Sequence, residues 1–405
     1  MRLLILVQVS IVLCCIGCTK NSSPVSPNTI VVHDTVYLTS PQTNYSLHDS
    51  DISVSQTWGP SQNPHRVSKY ITIKNSAVLT ILPGTIIKFD TATGLIFNAD
   101  SRLHAVGTAQ DSILFTSILA NPYPGSWRRL YFDSLPGLPA IIDSMSYAHV
   151  AFGGFTSGGQ INTHRTISIT HSTISNCGAD GIFVCNPSAQ LHSFAFNRIE
   201  SCTQYPLRFY PACADSIDST NVFVNNVRNR IAISGQTYLN VPLFLSRQTI
   251  PYEIQTNILI DQSFSGESWL AIAPGNTVMM GAGVEINARY GKVIAQGTAT
   301  DSIKFMSSST YPQKGDWTGF YFEPASYPGS ASQFAYCQFH HASKAVYIFG
   351  GGSALDNYMP PTVSNCLFEN NSYAIRVLQL LGYYQPFYQN VGNTFLNNTI
   401  NFSQD

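Results

Sequence analysis

Apolar and polar residues alternate over short runs along most of the chain, as in Leu79-Thr80-Ile81 and Ile375-Arg376-Val377. Each run is broken within a few residues by Gly, Pro, Asn or Asp. Period-two alternation predicts strands with one face turned inward. Helical spacing is scarce, because Gly and Pro interrupt most windows of helical length. The strands also recur. Ile174-Ser-Asn-Cys-Gly-Ala-Asp-Gly-Ile-Phe-Val184 aligns with Ile199-Glu-Ser-Cys-Thr-Gln-Tyr-Pro-Leu-Arg-Phe209 after 25 residues, and Phe223 to Ile233 follows after 24 more. Phe339 to Ile348, Phe368 to Val377 and Phe395 to Ile400 repeat the unit: a strand, a polar corner, a second strand. No coil of this size can bury its apolar side alone, so stacking coils about 4.8 Å apart is the predicted solution. Asn at the corners tolerates left-handed backbone and can bond to its stacked equivalent. That accounts for Asn176, Asn225, Asn226, Asn370, Asn371, Asn397 and Asn398 without any catalysis.

A longer repeat encloses the short one. Leu79-Thr-Ile-Leu-Pro-Gly84 matches Leu270-Ala-Ile-Ala-Pro-Gly275, and Ala105-Val-Gly-Thr-Ala-Gln-Asp-Ser-Ile113 matches Ala295-Gln-Gly-Thr-Ala-Thr-Asp-Ser-Ile303. Gly125-Ser-Trp127 matches Gly315-Asp-Trp317, Leu130-Tyr-Phe132 matches Phe320-Tyr-Phe322, and Tyr147 to Val150 falls opposite Tyr336 to Phe339. The offset stays between 189 and 191. With these blocks, Leu79 to Phe132 and Leu270 to Phe322 resemble the right-handed parallel β-helix repeat proteins of the pectin-lyase-like superfold. The fold expected is all-β: a right-handed parallel β-helix, internally duplicated. The first half would span 51–242 and the second, with a C-terminal cap, 243–405. The resemblance specifies no function, since that fold carries lyases, hydrolases, adhesins and spacers.

The N-terminus carries a different signal. Arg2 precedes a nearly unbroken apolar run from Leu3 to Ile16, too short for a permanent span but suited to export. It ends Cys15-Ile16-Gly17-Cys18, which resembles a bacterial lipoprotein signal. The resemblance implies removal of residues 1–17, lipidation of Cys18, and a tether and cap over 18–50. Thr19 follows in place of an acidic retention residue, so the analogy favours the outer membrane. Composition agrees with an extracytoplasmic β protein. Only 11% of residues are charged, against about 25% in a typical chain. With Lys and Arg numbering 21 and Asp and Glu 22, the net charge of −1 argues against a nucleic-acid partner.

Candidate chemistry is thin. A calcium-dependent lyase needs converging carboxylates and a base, and a hydrolase needs two carboxylates. Acidic residues here are dispersed. Asp180, in Gly178-Ala-Asp-Gly181, lacks the second Asp of a hydrolase block and reads as a turn capping a coil. Histidines 149, 164, 171, 192, 340 and 341 lack metal-ligand spacing and read as strand or corner residues. Cys177 and Cys202 occupy equivalent places in successive coils, and Cys185 and Cys213 nearly so; stacked thiols or a cross-coil disulfide both fit. Trp127 and Trp317 are expected to plug the same spot in the two copies. No catalytic residue, metal or cofactor is assigned. The ligand-facing candidates are Arg128 and Arg129, and Tyr383, Tyr384 and Tyr388 around Pro386. The expected role is a lipid-anchored envelope surface that binds polysaccharide or another envelope protein without catalysis. The alternative is a carbohydrate-active enzyme.

Overall fold

The computed structural model describes residues 45–135, 142–155, 158–186, 189–211, 217–235, 238–261, 268–289, 291–322, 332–350, 361–379 and 390–405. Among them there is no α-helix; Pro60–Gln62 forms a 3-10 turn, and nearly all the rest of the regular structure is short strand. Strands pair in parallel with the coils before and after, so the chain is a parallel β-solenoid, as its repeats predicted. One sheet of 13 strands, here the long sheet, runs through both copies from Tyr70–Ile73 to Thr394–Leu396. An 8-stranded and a 6-stranded sheet accompany the first copy, and a 7-stranded and a 6-stranded sheet the second.

Alternation places one side of every strand in the core. Leu95, Leu130, Ile161, Ile182 and Leu207 stack in register and have no exposed surface. Each such aliphatic side chain contributes about 1.5–3 kcal/mol on burial. Aromatic residues stack likewise: Phe97 lies 4.9 Å from Phe132, and Phe339 lies 4.8 Å from Phe368.

The paired asparagines divide their work. Asn225, Asn370 and Asn397 take the left-handed turn, with φ of 57°, 57° and 51°. The residue after each builds the ladder. Asn371 Nδ2 donates to Phe339 O at 2.9 Å, its Oδ1 accepts Ala342 N–H at 2.8 Å, and its own N–H reaches Asn398 Oδ1 at 2.9 Å. A second ladder, Ser172–Asn197–Asn221, runs up another corner. These bonds satisfy backbone groups that the corners remove from the sheets. Beside that second ladder, three rings stack outside the corner: Tyr147, His171 and Phe196 at 4.7 Å spacings, each with positive φ.

The duplication extends through all the later coils, and the second copy is turned by one side. Each coil of the repeat has a leading, a middle and a trailing strand: Val78–Ile81, Ile86–Phe89 and Gly94–Phe97 in the first copy, Trp269–Ile272, Thr277–Met280 and Glu285–Asn287 in the second. In the first copy the trailing strands form the long sheet. In the second copy the middle strands do, and the trailing strands move to the 7-stranded sheet. The change occurs where the 8-stranded sheet stops at Val222–Val224. There Gln248 Nε2 donates to Ile217 O at 3.0 Å, joining the strand Leu243–Leu245 to the end of the first copy.

The first coil has a pH-sensitive end. His48 stacks on Trp58 at 3.9 Å, and His48 Nε2 meets His65 Nδ1 at 3.0 Å. Burial, then the neighbouring His65, brings the His48 pKa down from 6.5 to about 4. The unfolded chain binds the proton first, so stability is complete above pH 6.5 and declines as pH falls toward about 4. Solvent at the half-buried ring screens the effect to the order of 1 kcal/mol. Melting of wild type should drop more between pH 7 and 4.5 than melting of His48→Gln; equal drops would remove His48 as the cause.

Candidate functional site

The trailing strands carry the outward chemistry in both copies. On the long sheet, Tyr131, Asn162, Phe183 and Arg208 stand in register on successive coils. The Arg208 guanidinium lies over the Phe183 ring at 5.2 Å and over Tyr205 at 5.5 Å. On the 7-stranded sheet the equivalent positions are Tyr321, Tyr347, Arg376 and Ser403. Tyr321 and Tyr347 stack at 5.0 Å, Lys344 Nζ lies 4.7 Å over Tyr347, and Arg376 lies 5.8 Å over the same ring. Each copy therefore presents two half-buried rings and a guanidinium on the same strand of the repeat, interrupted in the first copy by the buried Asn162.

The first column ends in a charged cluster drawn from four successive coils. Asp180 opens the strand Asp180–Val184; its Oδ2 meets Arg208 Nη2 at 2.6 Å and its Oδ1 accepts Tyr205 N–H at 3.1 Å. The Tyr205 hydroxyl donates to Glu253 Oε2 at 3.1 Å and receives Arg228 Nη1 at 2.8 Å and Gln255 Nε2 at 2.6 Å. Arg230 Nη1 lies 3.3 Å from Glu253 Oε2 and as far from Ser308 O. In register between Arg208 and Glu253 stands only Ala232, so the guanidiniums flank a small-residue floor. Three arginines face two carboxylates, leaving one positive charge in excess. Burial pushes the Asp180 carboxyl above the usual range, against the pull of Arg208. Asp180 has no exposed surface, so it cannot reach a substrate. It is an ion-paired strand residue, where the sequence suggested a turn cap.

The other candidates are placed as follows. Arg128 is exposed and lies over the Tyr70 ring at 5.2 Å. Arg129 is half-buried beside it, and Arg129 Nη2 donates to Phe155 O at 3.3 Å; burial brings its pKa down. Both sit at the foot of the first column. The counterpart of Arg129 is Gly319, at a bulge in the sheet where φ is +133° and a Cβ would run into Lys344 O. Tyr383, Tyr384, Tyr388, Cys18 and Cys213 lie outside the described residues. Cys177 and Cys202 Sγ approach to 2.7 Å as free thiols, and Cys337 and Cys366 form a second stacked pair that the sequence reading missed. His171 at a corner and His192 on a strand are exposed, as expected, whereas His149 and His340 on strands, His341 at a corner and His164 are half-buried. No cluster of three metal-ligating side chains occurs among the described residues.

Tyr205, Arg228, Arg230, Glu253 and Gln255 were not legible as a site. Their spacing of about one coil was the available signal, and only the stacking register turns it into proximity. Compared with family models, curated proteins and solved structures, the chain matches none.

Proposed function

We propose that the protein is a β-helix of the pectin-lyase-like kind, lipid-anchored through Cys18 at the outer membrane, whose outer columns bind polysaccharide without catalysis. One observation carries the non-catalytic part. Three of the four buried carboxylates among the described residues, Asp143, Asp180 and Glu253, are each engaged by an arginine, which counts against their acid–base work. The binding part rests on the columns. A ring or a guanidinium stands on three of the four coils in each column, and such a linear array matches a linear, periodic ligand better than a globular one. The convergence of six ionisable groups, Tyr205 included, favours the second reading, a carbohydrate-active enzyme.

The test incubates the full chain in detergent with acidic and neutral polysaccharides, with and without calcium. Retention on at least one polymer, with no unsaturated product and no new reducing ends, is the expected result. Turnover of any polymer would overturn the non-catalytic reading, and absence of retention on all of them the polysaccharide reading.

A further inference from the structure

The two columns are equivalent by duplication but do not lie on one line, and we infer that the molecule is bivalent: each copy holds its own polysaccharide strand, and the protein cross-links two. The inference rests on the binding reading above. The first column stands on the long sheet, the second on the 7-stranded sheet, so they lie on different coils and face different sides of the solenoid. Along the axis the strand Leu130–Phe132 and the strand Ile303–Ser307, which leads into the second column, are separated by seven steps of the long sheet. At about 4.8 Å per step that is about 34 Å. A straight ligand leaving the first column past Arg208 meets Ala232, Glu253, Met279 and Met306 in register, and none of the residues of the second column. Only a ligand that bends around a corner of the solenoid could use both.

The chemistry of each column suits the same ligand class. Tyr131 and Phe183 with Arg208, and Tyr321 and Tyr347 with Lys344 and Arg376, combine ring edges, phenol hydroxyls and charged donors. Sugar hydroxyls accept from the guanidiniums and ammonium and exchange hydrogen bonds with the phenols, while the rings cover apolar C–H faces. Separation on two sides gives two intermolecular events. In a polymer network that raises avidity only if the two strands are distinct chains or distant segments.

The experiment titrates the full chain in detergent with two hexasaccharides, one of (1→4)-linked glucose and one of (1→4)-linked galacturonate, by calorimetry. It then mixes the chain with the parent polymers and reads turbidity. Two sites per chain are expected for at least one hexasaccharide. The pair Tyr131→Ala/Phe183→Ala should leave one site, Tyr321→Ala/Tyr347→Ala the other, and the fourfold variant none. Turbidity should require both columns intact. These side chains are half-buried and outward, and melting curves check that the variants fold. One site per chain, or loss of all binding in one of the paired variants, would overturn bivalency and leave the binding reading standing. Binding of neither hexasaccharide would remove the polysaccharide reading itself, and the inference with it.

Discussion

Replacing Arg165 with Ala is expected to cost about 3–5 kcal/mol of folding stability, the largest single effect among the charged residues. Arg165 and Asp143 are both buried, at 7% and 0% exposure, and joined twice: Nε to Oδ2 at 2.6 Å and Nη2 to Oδ1 at 3.0 Å. The same guanidinium also donates to two carbonyls, Asn98 O at 2.7 Å and Asp133 O at 3.2 Å. Asp143 Oδ1 in turn accepts Leu103 N–H at 2.7 Å. Burial already pushes the Asp143 carboxyl up, against Arg165's opposing charge. Without Arg165 that carboxyl is expected to rise further and fold protonated. A raised folded pKa contributes most at low pH, so Arg165→Ala should be closer to wild type near pH 4 than at pH 7. Urea unfolding at both values measures it. The double variant Asp143→Leu/Arg165→Met should recover part of the loss, short of wild type because Leu103 N–H and Asp133 O lose the partners that Asp143 and Arg165 supply. A loss under 1 kcal/mol in Arg165→Ala at pH 7 would show that water reaches the site and the pair is not what holds this corner.

Trp127→Ala and Trp317→Ala should each cost about 3–5 kcal/mol, and by similar amounts. Neither ring has exposed surface. Trp127 stacks on Phe89 at 4.2 Å and donates Nε1–H to Ala151 O at 2.7 Å. Trp317 meets Phe320 edge-on at 5.9 Å and donates to His340 O at 2.8 Å. Equivalent donors thus close equivalent corners in both copies. The ring of Trp127 also crosses Gly153, where a Cβ would come within 2.8 Å of it, so the two positions fit only together. Truncation opens a cavity between coils and leaves a buried carbonyl without its donor. Trp127→Phe keeps a ring and loses the donor, so its cost should be about 1–3 kcal/mol. Chemical unfolding of the three variants is the measurement; equal losses for Trp127→Phe and Trp127→Ala would assign the whole effect to the hydrogen bond.

Much of this was readable before any coordinates. The corners were the clearest case. Asn370-Asn371 and Asn397-Asn398 announced both a left-handed turn and a stack, and the structure separates those roles between the first and second residue of each pair. The equivalence of Trp127 with Trp317 was equally plain, because one buried spot in a repeated coil selects one residue. The ladder at Asn197 and Asn221 was missed: neither residue sits in an Asn-Asn pair, and in the neighbouring coil Ser172 takes the place. The cluster at Tyr205 was missed for a stronger reason. Asp180, Arg208, Arg230 and Glu253 belong to four coils, and a carboxylate's partner in a solenoid is set by register, a property of the stack rather than of any segment.

The sequence by itself determined the local unit, its period, its inward face, its corners and its duplication. Those depend on contacts within a coil and between a coil and its neighbour, and they are rewritten every two dozen residues. What only the tertiary structure decided is how the two copies are set relative to each other. Copies with matching strands can stack with any of their sides aligned, because every side offers the same parallel edge and the same apolar spacing. The choice was made in the few coils between Val222 and Trp269, where one sheet ends and the trailing strands of the second copy take up a new side. That single step places the two ring-and-arginine columns on different faces.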